Sequence, residues 1–242
     1  MSQNKNNSRS GLARALSKLG YCSRSAAGKL IREGSVSLNG RIVHDPEFPL
    51  SVNADRILVH GRKIKAAEKV YLMMNKPRGI VTSARDEKGR DTVYSLLPEY
   101  GQWLAPVGRL DKASEGLLLI TNDSQWAARI SSPDAQVEKT YHVQIGTVAK
   151  EGLIRELTNG IKVEGEVLRA KQASIARRGE KHCWLEIVLD EGKNRQIRRM
   201  LAALDIEVLR LVRIGIGPLR LGDLPKGAVR PLTAKEKSLF GG

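Results

Sequence analysis

Four short segments bring charged, aromatic and glycine residues together at spacings that could do chemistry. The first reads Gly108-Arg109-Leu110-Asp111-Lys112-Ala113-Ser114-Glu115-Gly116-Leu117-Leu118-Leu119-Ile120-Thr121-Asn122-Asp123. Asp111 falls in a tight loop ahead of an apolar run that reads as a buried strand. An acid there is a turn-former or a reactive group, and by pattern alone the turn role comes first. The second segment, Glu191-Gly192-Lys193-Asn194-Arg195-Gln196-Ile197-Arg198-Arg199-Met200, puts four cations at a helix start. The N-terminal dipole end is itself positive, so a carboxylate or an RNA phosphate should answer them. A solvated basic face is the plainer alternative. The third, Glu138-Lys139-Thr140-Tyr141-His142-Val143, holds Tyr141 on a strand. The chain has only three Trp, five Tyr and two Phe, so each aromatic matters, although a core role is the simpler one for Tyr141. The fourth, Asn75-Lys76-Pro77-Arg78-Gly79-Ile80-Val81, is a stiff basic turn that carries little alone.

Positioning these segments takes two modules. Leu12, Ala15, Leu16 and Leu19 share one helical face, and Gly20 ends that helix. Ser23 can cap a second helix over 24–33, with Ala27, Leu30 and Ile31 inward and Gly34 beyond. Val36, Leu38 and Ile42 flank Asn39-Gly40, a hairpin signal, and a strand over 56–60 follows. Residues 65–69 read as a linker. Strands are then expected at 70–75, 117–120, 140–145, 183–189 and 208–216. Helices are expected at 92–97, at 124–130, from Thr147 or Ala149 to Leu157, and at 194–204. The fold class is α+β: a small N-terminal helix-hairpin module, then a mixed, mostly antiparallel sheet. The expected domains are a disordered basic tail at 1–10, a small domain at 11–64, the linker, and a second domain at 70–242.

Composition narrows the partners. The 242 residues include 41 Lys and Arg against 26 Asp and Glu, a formal charge of +15. Such a field favours a polyanion, most simply nucleic acid. With 41% hydrophobic residues, wholesale disorder is excluded. No apolar run reaches the roughly 18 residues of a membrane span, and MSQNKNNSRS lacks a signal-peptide core. Cys22, Cys183 and four scattered histidines make neither a disulfide framework nor a zinc site. A cytoplasmic protein, a monomer without a membrane partner, is the expectation.

In order and separation, the four segments resemble the pseudouridine synthase family, in its branch that modifies ribosomal RNA and carries a small RNA-binding domain in front. GRLDKASEGLLLITND is similar to the family's catalytic-aspartate motif, and KPRG, EKTY and EGKNRQIRRM to its flanking motifs. Residues 11–60, with YCSRSAAGKLIREGSVSLNGRIV, resemble the small domain named after a ribosomal small-subunit protein. Members of the family commonly carry acids after Cys-Ser-Arg, where this chain has Ser25-Ala26-Ala27-Gly28. Gly28 costs that helix about 1 kcal/mol.

The resemblance implies a uridine in ribosomal RNA as substrate, large-subunit RNA before small-subunit RNA, naked or in a ribosome-assembly intermediate. The reaction breaks a glycosidic bond and needs no redox equivalent or phosphate, so no cofactor and no metal are expected. Asp111 is implied as nucleophile or base, Arg198 as the partner that holds its carboxylate ionised and oriented, and Tyr141 as the ring that stacks on uracil and helps remove the C5 proton. Arg109, Ile197, Lys76 and Arg195 are the implied substrate-binding residues: Arg109 fills the gap left by the flipped nucleotide, Ile197 packs beneath the base, and Lys76 lies in a motif that supports the catalytic loop. Gly108 and Gly116 would let the loop approach RNA closely. In the small domain the expected RNA contacts are Arg14, Lys18, Arg24, Lys29 and Arg32. Two other classes compete. A non-enzymatic RNA-binding or ribosome-assembly factor would use the same charge and small domain, without Asp111, Tyr141 and Arg198. A DNA-binding regulator would read with the 24–33 helix and leave the second domain without a purpose.

Overall fold

The computed structural model describes residues 10–51, 55–83 and 89–241. Residues 1–9 of the expected tail lie outside them. Ser10 does not belong to a tail: it pairs with Leu50 in a two-residue strand. The chain forms two compact units. Of the described residues, one holds those up to Val70 with Glu99–Ala105 and Thr121–Gln125, and the other holds the rest.

In the first unit, helices Leu12–Lys18 and Arg24–Arg32 form as their apolar spacing requires. Leu12, Ala15, Leu16, Ala27 and Ile31 are fully buried, and each large aliphatic contributes about 1.5–3 kcal/mol by leaving water. Ser23 Oγ accepts from the Ala26 N–H at 3.1 Å and caps the second helix. Strands Val36–Leu38 and Arg41–Ile42 join through Asn39-Gly40, both at positive φ, as a type I′ turn requires. The hairpin Ile57–Val59 and Arg62–Lys63 completes a four-stranded sheet. The expected linker is pinned here: Ala67 N–H donates to Leu19 O, Lys69 Nζ to Lys18 O, and Asn122 bonds to the backbone of both Glu68 and Val70.

In the second unit, strands Gln172–Arg178, Cys183–Leu189, Lys139–Ile145, Val208–Ile216, Glu115–Thr121, Tyr71–Lys76 and Val229–Pro231 lie side by side in that order. Ala105–Val107 and Leu219–Arg220 add to this sheet, nine strands among the described residues. The sheet is mixed and mostly antiparallel. The pairing of Val208–Ile216 with Glu115–Thr121 is parallel and sets Arg213 beside Gly116. Glu115–Thr121 is buried along its whole length, as its apolar run demands.

Helices Glu151–Asn159 and Gln196–Ala202 cover one face, burying Val143, Ile145, Leu185, Ile187, Leu157 and Met200. Both begin later than the sequence suggests. The second cannot start at Asn194, because Arg195 takes a left-handed φ of 48°. The segment after Thr92 is a 3-10 turn, Val93–Leu96. The hairpin Ile161–Val163 and Glu166–Leu168, the edge strand Gln172–Arg178 and the C-terminal helix Ala234–Ser238 escaped the sequence reading.

Candidate active site

A cavity of about 720 Å³ opens over strands Lys139–Ile145 and Val208–Ile216. Asp111, Tyr141, Ile197, Arg198, Arg109 and Arg195 all line it, so six of the seven proposed catalytic and substrate-binding residues meet in one place. The lining carries six Lys and Arg against three Asp and Glu, a cationic bowl around one loop acid.

Four side chains hold the Asp111 loop by its carbonyls. Lys76 Nζ donates to Asp111 O at 3.2 Å, Ser114 O at 2.9 Å and Pro77 O at 3.0 Å. Thr82 Oγ1 donates to Leu110 O at 2.8 Å. Arg198 Nη2 donates to Ala113 O at 3.1 Å. Arg213 reaches Leu117 O through Nε at 2.8 Å and Arg109 O through Nη1 at 3.4 Å. The Asp111 carboxylate makes no hydrogen bond or ion pair among the described residues. The Tyr141 hydroxyl is equally free, and its ring packs on the apolar cluster under the helices.

Three expectations change. Lys76 does not bind substrate: it is fully buried, lines no part of the cavity, and supports the loop from behind. Burial pushes its pKa down to about 8, Arg213 adds to that, and Asp111 and Glu115 oppose it. Arg198 does not pair with the Asp111 carboxylate. It is held by Ala113 O and, at 3.4 Å, by Val208 O, and its Nε has no partner among the described residues. Burial and the positive neighbours Arg195 and Arg78 lower its pKa, while Asp111 raises it, so the two groups interact through space. Gly116 serves the sheet and not the RNA: at φ +104° its Cα lies against Arg213, and a Cβ would come 2.8 Å from the Arg213 nitrogen. Gly108, at φ +73°, faces open space.

The cations at the start of helix Gln196–Ala202 divide into two sets. Arg199 meets Glu164 at 2.8 Å and Glu166 at 2.7 Å, and Lys193 meets Glu166 at 3.4 Å and Glu191 at 3.5 Å. Carboxylates of the unforeseen hairpin thus answer two of the four. Arg195 and Arg198 have no carboxylate partner among the described residues and line the cavity. Sequence reasoning missed Arg213 and Lys139. Both lie on the buried side of their strands, in step with Leu211 and Tyr141, and that alternation was the available signal.

In the first unit, Arg14, Arg24 and Arg32 line a shallow groove with Ala13, Gly28 and Glu47. Lys18 and Lys29 lie outside it; Lys29 is 3.8 Å from Glu33 one turn on. Among the described residues no three His, Cys, Asp or Glu side chains come together as metal ligands. No helix among them is long and apolar enough to cross a membrane.

Residues 70–203 match the family described as RNA pseudouridylate synthase, and residues 11–57 match the S4 domain. The chain belongs to the RNA pseudouridylate synthase family. A curated relative, the ribosomal large subunit pseudouridine synthase B of Bacillus subtilis, is 35% identical over 227 residues, 93% of each chain. An uncharacterized RNA pseudouridine synthase of Aquifex aeolicus is 35% identical over 222 residues, 91% of this chain and 89% of its own. A crystal structure of a pseudouridylate synthase superposes with a TM-score of 0.67 at 32% identity, covering 95% of this chain and 99% of that one. The family resemblance and fold class read from the sequence are thereby established. A pseudouridylate synthase must bring a uridine to a reactive group, and this cavity offers two carboxylates without a bonded partner among the described residues, Asp111 and Asp190, with the free phenol of Tyr141 and six cations.

Proposed function

We propose that this pseudouridylate synthase isomerises one uridine of ribosomal RNA, in the large subunit before the small. Asp111, Tyr141 and Arg198 serve as its catalytic residues. The observation that carries the reading is the convergence of these three on one cationic cavity, beside a loop whose backbone Lys76 and Arg198 hold. The choice of large-subunit RNA rests on the relative of that name.

The target base cannot react inside a stack, so the nucleotide flips into the cavity. Arg109, exposed at the rim, fills the space it leaves. The N1–C1′ bond then breaks. The Asp111 carboxylate serves this step by capturing C1′ or by taking the C2′ proton to leave a glycal. Uracil turns and bonds to C1′ through C5, as the Asp111–C1′ ester bond breaks on the first route or as Asp111 returns its proton to C2′ on the second. The C5 proton leaves, with the Tyr141 hydroxyl as its acceptor directly or through water, and N1 gains one, so the atoms balance without a co-reactant. Arg198, whose charge already interacts with that of Asp111 through space, closes on the carboxylate once RNA is bound. The S4 domain adds phosphate contacts through Arg14, Arg24 and Arg32. The protein works as a monomer in the cytoplasm, on RNA or an assembly intermediate.

Tritium release from unmodified ribosomal RNA labelled at uridine C5 tests the reading. Wild type should release tritium, and Asp111→Asn should release none while binding the RNA nearly as well. Release by the variant at a rate close to wild type sinks the assignment. Binding without release by wild type favours the assembly-factor reading.

A further inference from the structure

Two buried donors beside the cavity have nothing to bind. Arg213 is 4% exposed, and its Nη2 has no partner among the described residues. Ser114 is 1% exposed, and its Oγ is in the same condition. Both residues line the cavity. A buried arginine is normally matched by a carboxylate, because an unanswered buried donor forfeits its desolvation cost. Arg213 meets only carbonyls. Lys139 lines the same cavity, half-buried, and its ammonium makes no hydrogen bond or ion pair among the described residues. Burial pushes the Lys139 pKa down, Arg213 pushes the same way, and Asp190 opposes them. The two cations therefore feel each other, with one nearby carboxylate and no bond to it.

Their placement says what they face. Arg213 lies opposite Tyr141 in the antiparallel ladder. Lys139 is two residues before Tyr141 on the same face of the strand. Both therefore flank the ring proposed to stack on uracil.

We propose that Lys139 and the free Nη2 of Arg213 form a seat for one RNA phosphate, the phosphodiester of the flipped uridine. The proposal rests on the pseudouridylation reading. Two cations that line one cavity with no carboxylate bonded to either call for a full negative charge, which a phosphate oxygen supplies and an uncharged uracil carbonyl does not. Their adjacency to Tyr141 ties that phosphate to the nucleotide whose base stacks there. The Ser114 hydroxyl supplies a neutral donor for a second phosphate oxygen. The arrangement also links binding to catalysis, since the Arg213 that receives the phosphate holds Arg109 O and Leu117 O at the two ends of the aspartate loop.

The test uses the full chain and an unmodified large-subunit ribosomal RNA transcript. Affinity is measured across a series of salt concentrations for wild type, Lys139→Met and Lys139→Arg. One lost phosphate contact lowers the slope of log affinity against log salt by about 0.7–0.9. Lys139→Met should show that loss, with most of the fall in kcat/KM carried by KM, and Lys139→Arg should restore the slope. Melting curves of both variants separate a folding defect from a binding one. A second variant, Arg213→Lys, keeps a cation and loses the fork, and it should raise KM again. An unchanged slope in Lys139→Met overturns the seat, whether kcat falls or not; a fall in kcat alone would make Lys139 a support for the Asp111 carboxylate. If wild type releases no tritium from the transcript, the pseudouridylation reading fails, and the salt slopes still report whether Lys139 meets a phosphate.

Discussion

The buried ammonium of Lys76 lies 3.2 Å from the backbone oxygen of Asp111, in the loop that carries the proposed catalytic carboxylate. It also holds Ser114 O and Pro77 O, so each of its three hydrogens has an acceptor. Lys76→Met leaves those carbonyls without a donor and should cost about 3 kcal/mol or more, with turnover falling further than RNA affinity. A neutral amine has only two hydrogens for three carbonyls. Wild-type kcat should therefore decline as pH rises through the Lys76 pKa of about 8. Urea melts of the variant and a kcat–pH profile of wild type check both parts; a normal melt would refute the bracing role.

Gly116 and Gly108 bracket the same loop and should respond differently. Gly116→Ala drives a methyl group into the Arg213 backbone at φ +104°, where the parallel strands meet. The backbone there cannot yield without parting the strands, so a loss of more than about 3 kcal/mol is expected. Gly108→Ala meets open space at φ +73° and should cost about 1–2 kcal/mol. Chemical denaturation of the two variants gives the comparison, and equal losses would contradict it.

Much of this was legible in the residues because it follows from local rules. Leu12, Ala15 and Leu16 mark a helix face by spacing, Asn39-Gly40 marks a hairpin by backbone freedom, and Leu117–Ile120 marks a buried strand by continuity. The strand Gln172–Arg178 was not legible: at the sheet edge, with mostly exposed small and charged residues, its apolar alternation is confined to Ala173 and Ile175. Asp111, Tyr141 and Arg198 were identified through family resemblance, since none stands out by pattern alone. What no local rule supplied was direction. Lys76 and Arg213 are cations that turn inward because loop carbonyls need donors, and that need exists only once the loop and strands have met.

The C-terminal helix should be acid-sensitive. Glu236 bonds both Arg230 nitrogens, at 2.8 and 2.6 Å, and accepts the Thr233 N–H, closing a capping box for Ala234–Ser238. The Arg230 hydrogen bonds, and the Thr233 N–H after them, outweigh burial and hold its pKa down to about 2, against an ordinary value of 4.5. The folded pKa is depressed, so the stability it gives is present above pH 4.5 and is lost as pH falls from there toward 2. Glu236→Gln keeps the cap and loses the charge. It should lower the melting temperature near neutral pH and flatten the pH dependence within that window. Parallel melts of wild type and variant that keep the same acid slope would rule the pair out as its source.

Tyr141 has two proposed roles, and substitution separates them. Its ring packs on the apolar cluster while its hydroxyl stands free in the cavity with the Asp111 carboxylate. Tyr141→Phe keeps the ring, so flipping and stacking should persist, a contact worth about 1–3 kcal/mol. Without the hydroxyl the C5 proton should leave slowly, and kcat should fall while affinity barely moves, the signature of an interaction made only during reaction. RNA deuterated at uridine C5 should then show a larger isotope effect with the variant than with wild type. Tyr141→Leu should lose affinity as well, because the stacking surface goes with the ring. A core residue would behave otherwise: Phe would be silent, and Leu would lower the melting temperature with no specific kinetic defect. Turnover, affinity and melting of the two variants distinguish these cases, and wild-type kcat in Tyr141→Phe would remove the hydroxyl from the mechanism.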